Sequence, residues 1–339
     1  METLLDLNIS QLRELLKKGE ISSVELTRFY LDRIKRYDNE LGSYINITED
    51  IAMDMAKRAD ARIAKGEEGR LLGVPLGIKD NFCAKEIETT CASQILRGFI
   101  PLYDATIIKR LKDEGFVHLG RLNMDEFAMG SSTENSSFQI TKNPWNTEYI
   151  PGGSSGGSAA ATASGLCVAS LGTDTGGSIR QPASLCGAVG MKPTYGRVSR
   201  YGVIALASSL DQIGPITRNV SDCATLMGII SGYDSMDSTS FNHNVPDYSA
   251  YLGRDIKGVR IGIPKEYNIE GIEPDVKKTV DNAISFYEKN GASIVEVSLP
   301  HTEYAVAVFY VICTAEASSN LARFDGVKYG LRINGKDII

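Results

Sequence analysis

From residue 71 onward, short apolar runs bounded by glycine alternate with helical stretches, and this alternation restricts the architectures open to the chain. LLGVPLGIKD (71–80), FVHLGRL (116–122), LCVASLGT (166–173), VRIGIP (259–264) and SIVEVSLP (293–300) read as strands. Residues 105–114, the Ala-rich run 156–164 and 273–290 read as helices. The pattern predicts an α/β fold, a mixed sheet of mostly parallel strands covered by helices on both faces. Ahead of it, residues 10–66 read as a helical segment without chemistry. Leu12, Leu15 and Leu16 make an apolar stripe that Gly19 ends. Ser22 and Glu25 form a capping box, and Leu26, Phe29, Tyr30 and Ile34 follow at helical spacing. A third helix runs from about Glu49 to Lys65 and closes on Gly66. No repeat or low-complexity block is visible. The polar stretch 231–249 is either a domain boundary or a long loop within one domain.

Composition narrows the function classes. A net charge of −6 and a pI near 5.3 argue against this chain alone holding nucleic acid, although they allow a local basic patch. Cys83, Cys91, Cys167, Cys186, Cys223 and Cys313 are scattered, with no CxxC pair and no nearby histidine. They read as free thiols in a reducing compartment, without zinc or another metal. The opening METLLDLNIS is neither a secretory signal nor a transit peptide, and no run reaches the length of a membrane span, so a cytoplasmic protein is expected. The chain stops on KDII (336–339), with no cap, glycine or polar tail, and this predicts a truncated sequence.

The chemistry is concentrated in PGGSSGGSAAATASGLCVASLGTDTGGSIRQPAS (151–184). A flexible linker is a poor reading, because regular elements follow both glycine–serine clusters. No lysine follows as a P-loop needs, and the glycine spacing is wrong for a dinucleotide fingerprint, although backbone amides at either cluster could still hold an anion. Gly152–Gly156 matches GxSxG, which would make Ser154 a nucleophile served by His243 or His301. The run before it is turn-like rather than a strand. TGGS (175–178) directly follows a strand, so its glycines allow a nest of amides beside Ser178. A tight turn with a bonded serine is the bland alternative. Without a histidine the base has to be a lysine kept partly neutral by burial. Lys79, at the end of GVPLGIK, is the best such lysine; its bland reading is a surface lysine at a strand end.

GVPLGIKDN, PGGSSGGSAAA and GTDTGGSIRQPA together resemble the amidase-signature hydrolases, and the resemblance covers essentially the whole chain. It implies a Ser–Ser–Lys triad in which Ser178 is the acyl-forming nucleophile, Ser154 the bridging serine and Lys79 the base. It also implies an oxyanion hole from the amides of Thr175, Gly176 and Gly177. Met129, Gly130, Ser131 and Tyr310 resemble residues lining the family's substrate pocket, though Met129 and Tyr310 could equally be core residues. Asp174 and Arg180 read as scaffold for the nucleophile loop. The whole chain, 1–339, then reads as one amidase-signature domain, incomplete at its C-terminus. Its parts are a helical 1–66, a catalytic core 67–230, a loop 231–249 and a partial second half 250–339.

Within the family, ISSVELTRFYLDRI, GRLNMDEFAMGSSTENSSF, KNPWN and AEASSNLARFDGVKYG (315–330) are similar to the glutaminase subunits of tRNA-dependent amidotransferases. The implied activity is hydrolysis of glutamine. The released ammonia would go to a partner that amidates misacylated Glu-tRNA(Gln) or Asp-tRNA(Asn). The implied assembly is a heterotrimer with two partner subunits, in which ATP, Mg and tRNA belong to the partner and this chain carries no cofactor. A general amidase acting on another carboxamide, and an inactive fragment or anion-binding module, are the alternatives. Family chains run well past Ile339, and charged residues there are expected to hold the glutamine carboxylate.

Overall fold

The computed structural model describes residues 2–333, 335 and 336. Residues 337–339, the very end on which the expected truncation rests, lie outside the described residues. The chain divides into two compact units, Met1–Ser249 with Ala315–Ile339, and Ala250–Thr314.

The first unit opens with α1 (Ile9–Lys18) and α2 (Ser23–Leu41), each started by a reciprocal capping box and ended by a left-handed glycine. At the start of α2 the Ser22 amide donates to Glu25 and the Glu25 amide donates to the Ser22 hydroxyl, at 2.8 and 3.1 Å. Strand β1 (Tyr44–Ile47) and helix α3 (Glu49–Ala64) follow. The alternating part comprises β2 (Pro75–Lys79), α4 (Thr106–Asp113), β3 (Val117–Leu122), α5 (Gly156–Ala163) and β4 (Ala169–Asp174). After these come α6 (Arg180–Leu185), β5 (Val189–Gly190), β6 (Gln212–Thr217) and α7 (Val220–Ile230).

The six strands form one sheet in the order β1-β3-β2-β4-β6-β5. β3, β2, β4 and β5 point one way; β1 and β6 point the other. The sheet is therefore mixed and mostly parallel, as expected. Helix α5 packs on β2, β4 and β6, while α2 and α3 pack on the β2–β3 side. The larger core joins Leu12, Leu26, Ile34, Leu76, Ile78, Leu171 and Leu226; a smaller one joins Ala159, Ala160, Ile179, Ala183 and Ile216. β2 and β4 are parallel neighbours, with Ile78 beside Leu171, so their C-terminal ends emerge side by side. That is where a parallel sheet presents chemistry.

The second unit is a β-α-β motif. β7 (Arg260–Pro264) and β8 (Ser293–Val297) pair in parallel across α8 (Pro274–Lys289), which starts on a proline. The helix α9 (Ala305–Leu321) begins in this unit, and its residues from Ala315 onward belong to the first.

Candidate active site

Lys79 is the last residue of β2 and is completely buried. Its ammonium nitrogen meets three hydroxyls: Ser154 Oγ and Ser155 Oγ at 2.8 Å each, and Thr173 Oγ1 at 2.9 Å. Among the described residues it has no carboxylate partner in an ion pair. Burial therefore pushes its pKa down to about 7, against the opposing fields of Asp125, Cys91, Asp174 and Asp211. Lys79 is therefore buried and titrates near neutrality.

One serine loop meets this nitrogen, and the other is joined to it. Ser154 and Ser155 close the turn ahead of α5, and both are fully buried. Gly156 and Gly157 start the helix because side chains would not fit there. A Cβ on Gly157 would lie 2.5 Å from the Asn123 carbonyl oxygen, and one on Gly156 would lie 2.2 Å from Thr133 Oγ1. Ser178 leaves the end of β4 in a loop and keeps 8% of its surface open. The Ser155 amide donates to the Ser178 carbonyl at 3.2 Å, which joins the two loops directly. Ser155 also fastens to β4: its hydroxyl donates to the Thr173 carbonyl at 3.1 Å.

Asp174 shapes the Ser178 loop. Its carboxylate accepts from the amides of Gly177 (2.9 Å), Ile179 (3.1 Å) and Arg180 (3.3 Å), and from the Arg180 guanidinium at 3.0 Å through two nitrogens. Burial raises the Asp174 pKa, but Arg180 and the amides outweigh that effect and hold it below the usual value. Asp174 and Arg180 thus hold the turn. Of the three amides expected to form an oxyanion hole, that of Gly177 is committed to Asp174. The amides of Thr175 and Gly176 carry no hydrogen bond among the described residues. Thr175 is anchored through its hydroxyl, which donates to Asp211 at 2.6 Å.

The Met129–Ser131 segment reaches the same place through Gln181. The Gln181 carboxamide accepts from the Gly153 amide and donates to the Ser131 carbonyl, both at 2.9 Å. Gly130 and Ser131 therefore lie beside the Ser154 turn, and the Met129 side chain is exposed. Tyr310 lies in the second unit, on α9, and is also exposed. The histidine alternative finds no support. His243 packs against Phe241 at 4.2 Å, and Ser154 Oγ is taken by Lys79. Among the described residues no group of three or more His, Cys, Asp or Glu is placed to hold a metal ion, and no helix is long and apolar enough to cross a membrane.

Three participants were missed in the sequence reading. Ser155 and Thr173 complete the cage around Lys79, and Asn81 Nδ2 donates to Thr173 Oγ1 at 3.0 Å. GGSSGG offers two adjacent serines, and nothing in the spacing separates the one that meets the lysine from one that does not. Both do.

The amidase family profile matches residues 25–339. This chain belongs to the amidase family. Its relatives include a glutamyl-tRNA(Gln) amidotransferase subunit from Geobacter sp. (strain M21), 60% identical over 327 residues, covering 96% of this chain and 67% of that protein. The crystal structure of the protein of the same name from Thermotoga maritima superposes with a TM-score of 0.82 at 46% identity, over 93% of this chain and 66% of that one. The amidase fold is shared equally by the peptide amidase of Stenotrophomonas maltophilia, with a TM-score of 0.86 at 33% identity over 95% of this chain and 68% of that one. The chain spans about two thirds of the length of these amidases.

Proposed function

We propose that this chain is the glutaminase part of a tRNA-dependent amidotransferase and works through an acyl-enzyme on Ser178. The observation that carries this reading is the Lys79 ammonium nitrogen, fully buried, 2.8 Å from Ser154 Oγ and with a pKa near 7. A buried lysine of that acidity is a general base at neutral pH. Neutral Lys79 takes the proton of Ser154 while Ser154 takes that of Ser178. Ser178 Oγ attacks the side-chain carboxamide carbon of glutamine. The oxyanion forms beside Thr175–Gly177, where the amides of Thr175 and Gly176 carry no other bond; one such donor is typically worth ~3 kcal/mol. The C–N bond then breaks, Ser154 returns a proton to the departing ammonia, and water cleaves the γ-glutamyl ester to give glutamate.

The names carried by the 60% and 46% identical relatives support Glu-tRNA(Gln) as the final acceptor; glutamine as amide donor and Asp-tRNA(Asn) as a related acceptor follow from the family resemblance. In this reading the ammonia passes to one of two partner subunits in a cytoplasmic heterotrimer. That partner holds the tRNA and uses ATP and Mg, and the acidic balance of this chain suits such a division. Met129, Gly130 and Ser131 line the glutamine pocket, and Tyr310 is the remaining pocket candidate from the family resemblance. The peptide amidase, whose fold matches as well, favours a second reading, hydrolysis of another carboxamide by the same triad.

The test is ammonia release from glutamine by the complete enzyme, with mass spectrometry of the trapped acyl-serine. We expect Ser178→Ala to abolish release and Lys79→Ala to lower it at least ~100-fold. An adduct on Ser154 rejects this triad. An adduct on Ser178 formed from other amides but not from glutamine selects the second reading.

A further inference from the structure

The reaction above turns Lys79 into a buried ammonium each time a proton leaves Ser178. Among the described residues only hydroxyls and a carbonyl touch its nitrogen. A buried cation without a counter-charge is costly, so a carboxylate has to act on it through space. The charged and titratable groups facing Lys79 come from four places: Asp125 after β3, Cys91 in the loop after β2, Asp174 at the end of β4, and Asp211 ahead of β6.

Their hydrogen bonds separate them. Asp174 is saturated by Arg180 and three amides. Asp211 accepts from Thr175 and from the amides of Leu206 and Ala207. Cys91 is a neutral thiol, its pKa pushed far up by burial. Asp125 is different. It is fully buried, its Oδ1 takes the Asn135 amide at 3.2 Å, and its Oδ2 has no hydrogen-bond partner among the described residues. A buried carboxylate oxygen is rarely left in that state without a purpose.

Two glycines make room for it. A Cβ on Gly153 would lie 2.2 Å from Asp125 Oδ2, and one on Gly130 would lie 2.3 Å from its carboxyl carbon. The carboxylate is therefore wedged between the residue preceding Ser154 and the Met129–Ser131 segment. Its own amide donates to the Ser154 carbonyl at 3.2 Å, so it is rigidly coupled to the bridging serine.

We propose that Asp125 is a positioning residue, the counter-charge that holds the buried Lys79 ammonium while the proton is away from Ser178. The proposal rests on the Ser–Ser–Lys reading. It accounts for the unbonded oxygen, for both glycines, and for a lysine that accepts a proton although it is itself closed to water.

The test is the pH profile of glutamine kcat/KM in the complete enzyme with Asp125→Asn, which keeps shape and loses charge. A negative neighbour raises the pKa of an ammonium. Removing it lowers the pKa of Lys79, so the acid limb moves down by about one pH unit while the plateau rate falls roughly tenfold. Asp125→Ser, which also removes the charge but with a smaller side chain, should move the limb the same way. In a Lys79→Ala background, Asp125→Asn should change the residual rate by less than about twofold. A purely structural role lowers rates without moving the limb and lowers them again in that background. An unmoved limb in either folded variant overturns the proposal. Activity surviving Ser178→Ala would instead overturn the triad beneath it.

Discussion

Lys79 shows how one residue trades stability for chemistry. In water its ammonium titrates near 10.5, and in the fold near 7. Between those two values the unfolded chain binds a proton that the folded chain does not. Stability therefore rises with pH from about 7 to about 10.5 and is flat below, where both states are protonated. Replacing the lysine with Met removes the linked proton and the cost of burying an amine, while Ser155 keeps its bond to the Thr173 carbonyl. We expect Lys79→Met to be inactive yet more stable at pH 7 by roughly 2 kcal/mol, with the rise toward pH 10 gone. Urea unfolding at pH 7 and pH 9.5 checks this, and a mutant that is less stable at both values contradicts it. The burial of Lys79 was legible in the sequence because a lysine closing an apolar strand has few places to go. Its hydroxyl cage was not, because Ser155 and Thr173 meet the lysine only when β2 and β4 are paired, and pairing partners are not written in either strand.

At the scale of elements, legibility followed the locality of the signal. α1 and α2 announce themselves through Gly19 and the Ser22–Glu25 box, contacts made within a turn. β6 was missed because QIGPIT places a glycine and a proline inside a strand, which ordinarily speaks against one. The sheet needs the glycine and accommodates the proline. A Cβ on Gly214 would lie 1.9 Å from the Met191 carbonyl oxygen, and the Pro215 carbonyl accepts the Met191 amide at 3.2 Å. β1 and β5 are too short, at 4 and 2 residues, to show a pattern. In the loop from β4 into α6, one carboxylate, Asp174, accepts from three amides and a guanidinium. Asp174→Asn keeps the shape but loses the charge facing Arg180, and its amide group can accept on only one side. We expect a loss of about 3 kcal/mol, from a broken partly buried ion pair and two weakened amide contacts. With the Ser178 turn no longer fixed, glutamine hydrolysis should fall at least ~100-fold. Thermal unfolding and acylation rate should then drop together. A variant that keeps full acylation would show that Asp174 does not hold the nucleophile.

Across the whole chain the two units differ in how much they bury, and this sets how each should breathe. The six-stranded sheet has strands whose every residue is buried: β2, β3, β4 and β6. In the second unit, Ala292 and Cys313 are buried, while α8 has no buried residue among those described and both strands are half-open. Val276, Val280 and Phe286 of α8 each expose more than half of their surface. Local opening costs little where few apolar contacts are lost, and its free energy approaches the global value where many are. Amide exchange of the 339-residue chain should therefore separate the units. Amides of β2 and β4 around Lys79 should exchange only through global unfolding, at least ~1000-fold more slowly than those of α8. Mass-resolved exchange at neutral pH reads this directly. Equal protection in α8 and β4 would mean that the second unit opens only with the rest of the chain. The predicted contrast places Lys79 and its hydroxyl cage in the most protected part of the chain, with Ser178 at its open edge.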